Sequence, residues 1–115
     1  MSYRYEHVKV TRIVDGDTID VEIDFGMGIH KKERVRIAFI DAPEVRGEEK
    51  VKGYQAKAFV ENCIPVGSNI QLETFKEKGK FGRYIGCVYF IGEDGLRKSL
   101  GTHMVEAGHA IEKEY

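Results

Sequence analysis

The sequence has no tryptophan, two prolines and two cysteines in 115 residues, and no apolar run approaches the ~18 residues a membrane-spanning helix needs. Cys63 and Cys87 have no C-x-x-C spacing, and His7, His30, His103 and His109 are scattered. That distribution excludes a disulfide framework and argues against a zinc site, leaving two reduced, partly buried thiols. Neither sign of charge dominates: 18 Lys and Arg stand against 19 Asp and Glu, for a net charge of −1. A chain that coats nucleic acid by bulk positive charge is thereby excluded, although local patches are not. The opening Met-Ser-Tyr-Arg-Tyr-Glu lacks a signal-peptide pattern. The chain is expected to be cytoplasmic if it is full length and secreted if it is a processed form.

What is present is a globular composition, 42% hydrophobic and 32% charged, of the size of one domain spanning residues 1–115. Val8 and Val10 alternate with Lys9. Ile19, Val21, Ile23 and Phe25 alternate with Asp20, Glu22 and Asp24, a two-residue period with one wet face. Asp15-Gly16-Asp17 between these runs signals a hairpin. A third strand is expected from Glu33 to Ile40. Its last four residues, Ile37-Ala38-Phe39-Ile40, are apolar on both faces, so another element should cover them. A helix from Glu48 to Ile64, with Ala56, Phe59, Val60, Cys63 and Ile64 at helical spacing, is expected to do so, and Pro65 and Gly67 end it. Ile70–Thr74 and Tyr84–Ile91 read as two further strands, the second turned by Gly92-Glu93-Asp94-Gly95. A second helix over Lys98–Ala107 follows, capped by Gly108. Three strands, a helix, two strands and a helix fit a mainly β (α+β) fold: a five-stranded OB-type barrel with two helices. The order alone also permits an open α+β sheet.

Four carboxylates, Asp15, Asp17, Asp41 and Glu44, stand near turns or strand ends, interleaved with Arg36 and Arg83. Asp17 shares strand parity with Ile19 and Val21, so its carboxylate faces the core side at the barrel rim, where it requires a cation or donors. Two aspartates and a backbone carbonyl make an all-oxygen site suited to Ca²⁺ or Mg²⁺. Hydrolysis of a phosphodiester needs such a cation, guanidinium groups on the other phosphate oxygens, and a base for the attacking water. Taken singly, each motif reads more simply as a hairpin turn, an acidic helix start or a surface ion pair; together they supply every part of that chemistry. Arg36 and Asp41 are an odd number of residues apart. Bringing both to one site therefore predicts that regular pairing ends or bends between Ala38 and Asp41.

Val14-Asp15-Gly16-Asp17-Thr18, Arg36 followed by Asp41-Ala42-Pro43-Glu44, Gly53-Tyr54-Gln55-Ala56-Lys57-Ala58-Phe59 and Lys80-Phe81-Gly82-Arg83 resemble the staphylococcal nuclease (thermonuclease) family. The motifs occur in family order across nearly the whole chain. The resemblance implies a Ca²⁺-dependent phosphodiesterase, with Mg²⁺ the lesser candidate, that cuts DNA and RNA to leave 3′-phosphates. It implies metal ligation by Asp17, Asp41 and the Ala42 carbonyl, with Asp15 in the outer shell. Glu44 would act on water, Arg36 and Arg83 would hold phosphate, and Lys80, Phe81 and Tyr115 would contact nucleotide. Ala42 stands where the type nuclease has threonine, Gly79 where an aspartate is common, and a third C-terminal helix of the type nuclease is not expected here. Lys31, Lys32 and Arg34, with Lys76, Lys78 and Lys80, are expected to form a track for the phosphate backbone, giving salt-sensitive binding without sequence preference. The expected state is a monomer with no membrane association. The competing reading is a non-catalytic OB-type module that binds nucleic acid or protein.

Overall fold

The computed structural model describes residues 2–75 and 83–113. Lys76, Lys78, Gly79, Lys80, Phe81 and Tyr115 lie outside those residues. The chain runs through β1 (Tyr3–Asp15), β2 (Thr18–Asp24), β3 (His30–Ile37), β4 (Ile40–Asp41), a 3₁₀ turn (Gly47–Glu49), α1 (Lys50–Cys63), β5 (Asn69–Thr74), β6 (Tyr84–Ile91), β7 (Arg97–Ser99), α2 (Leu100–Glu106) and β8 (Ile111–Glu112).

Strands β3-β2-β1-β5-β6 pair in that order as antiparallel neighbours. Parallel pairing of β3 with β6, where Arg36 faces Ile85, closes the five strands into a barrel. β1 serves two partners, β5 along its first part and β2 along its second. It bends between them at register shifts, one of which falls between Val10 and Arg12. That irregularity also explains the core pattern. Val10 and Ile13 are an odd number apart, yet both are buried, because the extra residue resets which face points inward.

The barrel interior is filled by Val8, Val10, Ile19, Val21, Val35, Ile37, Ile70, Leu72 and Val88. Helix α1 buries Gly53, Ala56 and Val60 and ends where the Ile64 N–H bonds back to the Val60 carbonyl, since Pro65 has no N–H to continue. Helix α2 buries Leu100, Gly101 and Met104. It stops in a Schellman arrangement, with Gly108 at φ 82° and with the Gly108 and His109 N–H groups donating to the Val105 and Met104 carbonyls.

The strand reading is corrected in two places. β3 ends at Ile37 instead of Ile40, and the chain reverses through Ala38 and Phe39 before β4, which pairs only with β8. Phe39 has φ 65° and is exposed, so the apolar run is not one strand. The element against this stretch is α2, not α1: a Cβ on Gly101 would sit 3.3 Å from Ile40 Cγ2 and 3.7 Å from Ile37 Cγ2. The second helix also begins later than expected. Arg97–Ser99 pairs with β6 as β7, and the Ser99 hydroxyl accepts the Thr102 N–H, which starts the helix at Leu100.

Candidate active site

The site lies where chain reversals meet at one end of the barrel. The first is the Gly16–Asp17 turn between β1 and β2, flanked by the Asp15–Thr18 pair. Gly16 is buried, and a Cβ there would lie 2.9 Å from Ala56 Cβ and 3.1 Å from Ala42 Cβ. The turn is thus held between α1 and the segment that follows β4. Asp17 is 8% exposed, a costly place for a carboxylate without partners. Its Oδ1 accepts the Thr18 hydroxyl at 3.0 Å and its Oδ2 accepts the Ala42 N–H at 3.1 Å. The Arg36 Nη2 lies 3.4 Å from Oδ2 and supplies the cation.

The second reversal joins β3 to β4. The Ile37 N–H donates to the Asp17 carbonyl and the Ala38 N–H to the Gly86 carbonyl, each at 2.8 Å. Ladder pairing then stops, and Phe39 turns the chain through a left-handed conformation that costs a bulky residue about 1–2 kcal/mol. Arg36 fastens this turn. Its Nη1 donates to the Ile37 carbonyl at 2.8 Å and the Ile40 carbonyl at 2.9 Å, one on each arm. Its Nη2 reaches Asp41 Oδ1 at 3.2 Å. The expected break between Ala38 and Asp41 is therefore present, and it resolves the parity conflict between Arg36 and Asp41.

After β4 the chain returns across the first turn. The Ala42 N–H is bonded to Asp17, and the Val45 N–H donates to Asp15 Oδ1 at 3.4 Å, a long contact. Pro43 and Glu44 span the interval, with Glu44 exposed. Helix α1 presses on the same segment at Gly53. A Cβ on Gly53 would collide with the Glu44 carbonyl and stand 2.7 Å from Val45 N. Beside Asp41 opens a cleft of about 270 Å³, lined among others by Ala42, Pro43, Lys52, His109 and Ile111.

Asp17, Arg36 and Asp41 are thus joined by contacts, and Asp15 and Asp17 hold the segment on which Glu44 rides. Arg83 is half-buried immediately before β6, two residues ahead of Ile85, the parallel partner of Arg36. That offset is about 7 Å along a strand. Lys80, Phe81 and Tyr115, named above as nucleotide contacts, lie outside the described residues, as do Lys76 and Lys78.

The remaining basic stretch is not a bare cationic track. Arg34 is bonded through Nε and Nη2 to Asp20, its cross-strand partner, at 2.7 and 3.1 Å, and Lys31 meets Glu33 at 3.0 Å. Those acids hold both cations above their ordinary pKa values, chiefly through the hydrogen bonds they accept. Lys32 faces Glu22, which also lies near His30. Sequence reasoning missed two residues of the site. Thr18 was marked only by following Asp17. Gly53 was marked by the pitch of small and apolar residues Gly53, Ala56 and Val60 along one helix face.

The donor chemistry of the site fits a hard divalent cation. Two carboxylates converge within reach of one guanidinium nitrogen, and a main-chain segment lies beside them. Among the described residues no group of three or more His, Cys, Asp or Glu side chains is arranged to hold a metal.

A family model described as "Staphylococcal nuclease homologue" matches residues 34–115. Arg36, Asp41, Glu44 and Arg83 fall inside that match, whereas Asp15 and Asp17 precede it. The chain is 32% identical over 104 residues to an "Uncharacterized endonuclease" of Escherichia coli O157:H7, covering 90% of this chain and 59% of the relative. It is also 32% identical over 111 residues to a "Micrococcal nuclease" of Shigella flexneri, covering 93% of this chain and 58% of the relative. To "Protein ParB" of Escherichia coli it is 34% identical over 106 residues, covering 89% and 54% respectively. The chain thus spans a little over half the length of these curated relatives.

Proposed function

This chain belongs to the staphylococcal nuclease family, and from that premise we propose that it is a metal-dependent nuclease hydrolysing phosphodiester bonds of DNA or RNA. The observation that carries the reading is the meeting of Asp17 and Asp41 on one Arg36 nitrogen, at 3.4 and 3.2 Å. Acids and a guanidinium gathered at a barrel rim form the charge arrangement that phosphate hydrolysis requires.

Asp17, Asp41 and the Ala42 carbonyl would hold the divalent cation, Ca²⁺ in preference to Mg²⁺, and Asp15 would act from outside that set. When bound, that cation supplies positive charge to the phosphate and to the attacking water. Glu44, exposed to solvent, accepts the proton that water loses as its oxygen attacks phosphorus. Arg36 and Arg83 pair with phosphate oxygens as charge gathers on them. The bond from phosphorus to the 5′-oxygen breaks, and that oxygen takes a proton from solvent, leaving a 3′-phosphate and a 5′-hydroxyl. Little of this depends on base identity, so cutting is expected to be largely sequence-independent.

The test is hydrolysis of single-stranded DNA and of RNA in Ca²⁺, in Mg²⁺ and in EDTA. Activity should need the cation. Arg36→Ala and Arg83→Ala should each lose at least about 10²–10³ in rate, and Glu44→Gln about 10²–10⁴. Nucleic-acid binding with no cutting under any of these conditions would overturn the reading in favour of a binding module.

A further inference from the structure

A glycine in the interior of a helix costs about 1 kcal/mol relative to alanine. No left-handed dihedral requires one at position 53, which lies within α1. What requires it is space. The helix axis runs so close to the Glu44–Val45 peptide that any Cβ at position 53 overlaps the Glu44 carbonyl and approaches Val45 N to 2.7 Å. On the amide side of the same peptide, Asp15 Oδ1 accepts the Val45 N–H at 3.4 Å. Three residues earlier in the chain, Asp17 holds the Ala42 N–H at 3.1 Å. The Ala42–Val45 segment is thus tied at both ends to the Asp15-Gly16-Asp17 turn, and α1 bears on its last peptide.

We propose that Gly53, with Asp15 opposite it, clamps the Glu44–Val45 peptide and so aims the Glu44 carboxylate; Gly53 is a positioning residue for the base. The inference rests on the role given to Glu44 above. Glu44 is exposed, so packing of its own side chain does little to orient it, and its direction comes from the backbone that carries it. A displacement of about 1 Å at a reacting group can cost 10²-fold. The overlap at Gly53 demands a displacement of that order.

The decisive experiment is a double-mutant cycle between Gly53→Ala and Glu44→Gln, read as kcat and KM on single-stranded DNA. Ca²⁺ affinity of each variant is measured by calorimetry. Gly53→Ala should lower kcat about 10²-fold, with KM and the Ca²⁺ Kd changing less than about threefold. In the Glu44→Gln background the same change should alter kcat less than about threefold, because the group it misdirects has already lost its function. If Gly53→Ala exacts its full loss on top of Glu44→Gln, the clamp is overturned while the role of Glu44 stands. A Glu44→Gln protein as active as the parent overturns that role instead. Should Gly53→Ala fail to fold, the amide side of the clamp is read directly. Val45 N–H exchange in the parent should be slowed, Asp15→Ala should speed it, and Asp15→Asn, which keeps an acceptor, should retain at least tenfold more kcat than Asp15→Ala. Equal exchange and equal kcat in those two variants refutes the proposal.

Discussion

Replacing Arg36 with methionine keeps an unbranched stem and removes the guanidinium, and the structure sets the expected loss. Arg36 is 8% exposed, as is Asp17, whose Oδ2 lies 3.4 Å from Nη2. Breaking a buried pair from one side leaves an uncompensated charge and typically costs about 3–5 kcal/mol. The carbonyls of Ile37 and Ile40 also lose their shared donor. Both of those bonds are buried, so their loss adds to the pair-breaking range, which serves as the lower estimate. A domain of this size has a stability of roughly 6–17 kcal/mol, so the variant forfeits a large fraction and melts roughly 12–20 °C lower. Urea unfolding followed by circular dichroism at pH 7, without divalent cations, should show this as a fall in midpoint at unchanged slope. Asp17→Asn added to Arg36→Met should recover stability, since it removes the stranded charge. A loss under about 1 kcal/mol, or a double variant weaker than Arg36→Met, would mean that Asp17 is not held by this guanidinium and that the convergence described above is wrong.

Further outcomes follow from the same coordinates. Gly16→Ala places a Cβ 2.9 Å from Ala56 Cβ and should cost about 1–3 kcal/mol in a denaturant titration; a neutral result would mean the turn does not rest on α1. Met27, 97% exposed at φ 55°, makes a left-handed turn with little packing to lose, so Met27→Asn should gain about 0.5–1 kcal/mol by the same assay. Burial raises the thiol pKa of both Cys63 and Cys87 above the ordinary 9.0. The folded state thus keeps these protons longer than the unfolded chain does. Their contribution is complete below pH 9.0 and fades as pH rises through the folded values. Thermal midpoints should therefore fall as pH rises above 9.0, and a Cys63→Ala, Cys87→Ala double variant should show less of that fall; identical pH profiles would contradict it.

Where one physical signal decided the local structure, the sequence was readable. The alternation of Ile19, Val21 and Ile23 matches β2, and the apolar face of α1 matches Ala56, Val60 and Ile64. Strands stabilised by their neighbours left no such mark. Arg97-Lys98-Ser99 has no apolar period and becomes β7 only by pairing with the edge of β6. Phe39 carried a misleading signal, since four apolar residues read as a strand and nothing in a phenylalanine announces a positive φ. The break was still foreseeable from function, because Arg36 and Asp41 could share a site only if the strand ended between them. The pairing of the basic stretch was hidden for a cross-strand reason. Lys31 and Arg34 read as available cations until β2 and β3 pair in the observed register and bring Asp20 opposite Arg34. Gly53 was hidden because its partner, the Glu44 peptide, becomes a neighbour only when α1 folds back over it.

Burial divides the candidate residues into two kinds. Asp17 and Arg36 are inside, and each is bonded to main-chain groups that hold the barrel rim together. The Asp41 side chain is 48% exposed, and Glu44 is exposed as well. An exposed carboxylate beside a cleft contributes little to stability, because surface ion pairs are worth about 0–1 kcal/mol. The inner pair therefore has a structural role besides the chemical one proposed for it, and changing either member alters the reversal on which the other residues stand. The outer pair can be changed with the barrel intact. Loss of activity at Asp41 or Glu44 reports on the chemistry, whereas the same loss at Asp17 or Arg36 does so only when the variant's stability has been measured beside it. The division has an origin in the fold. A charge needed for solvent-borne substrate has to reach the surface, but the turn that presents it must itself be anchored. In this barrel the anchor is a buried arginine whose donors are shared between the turn's own carbonyls and the two aspartates.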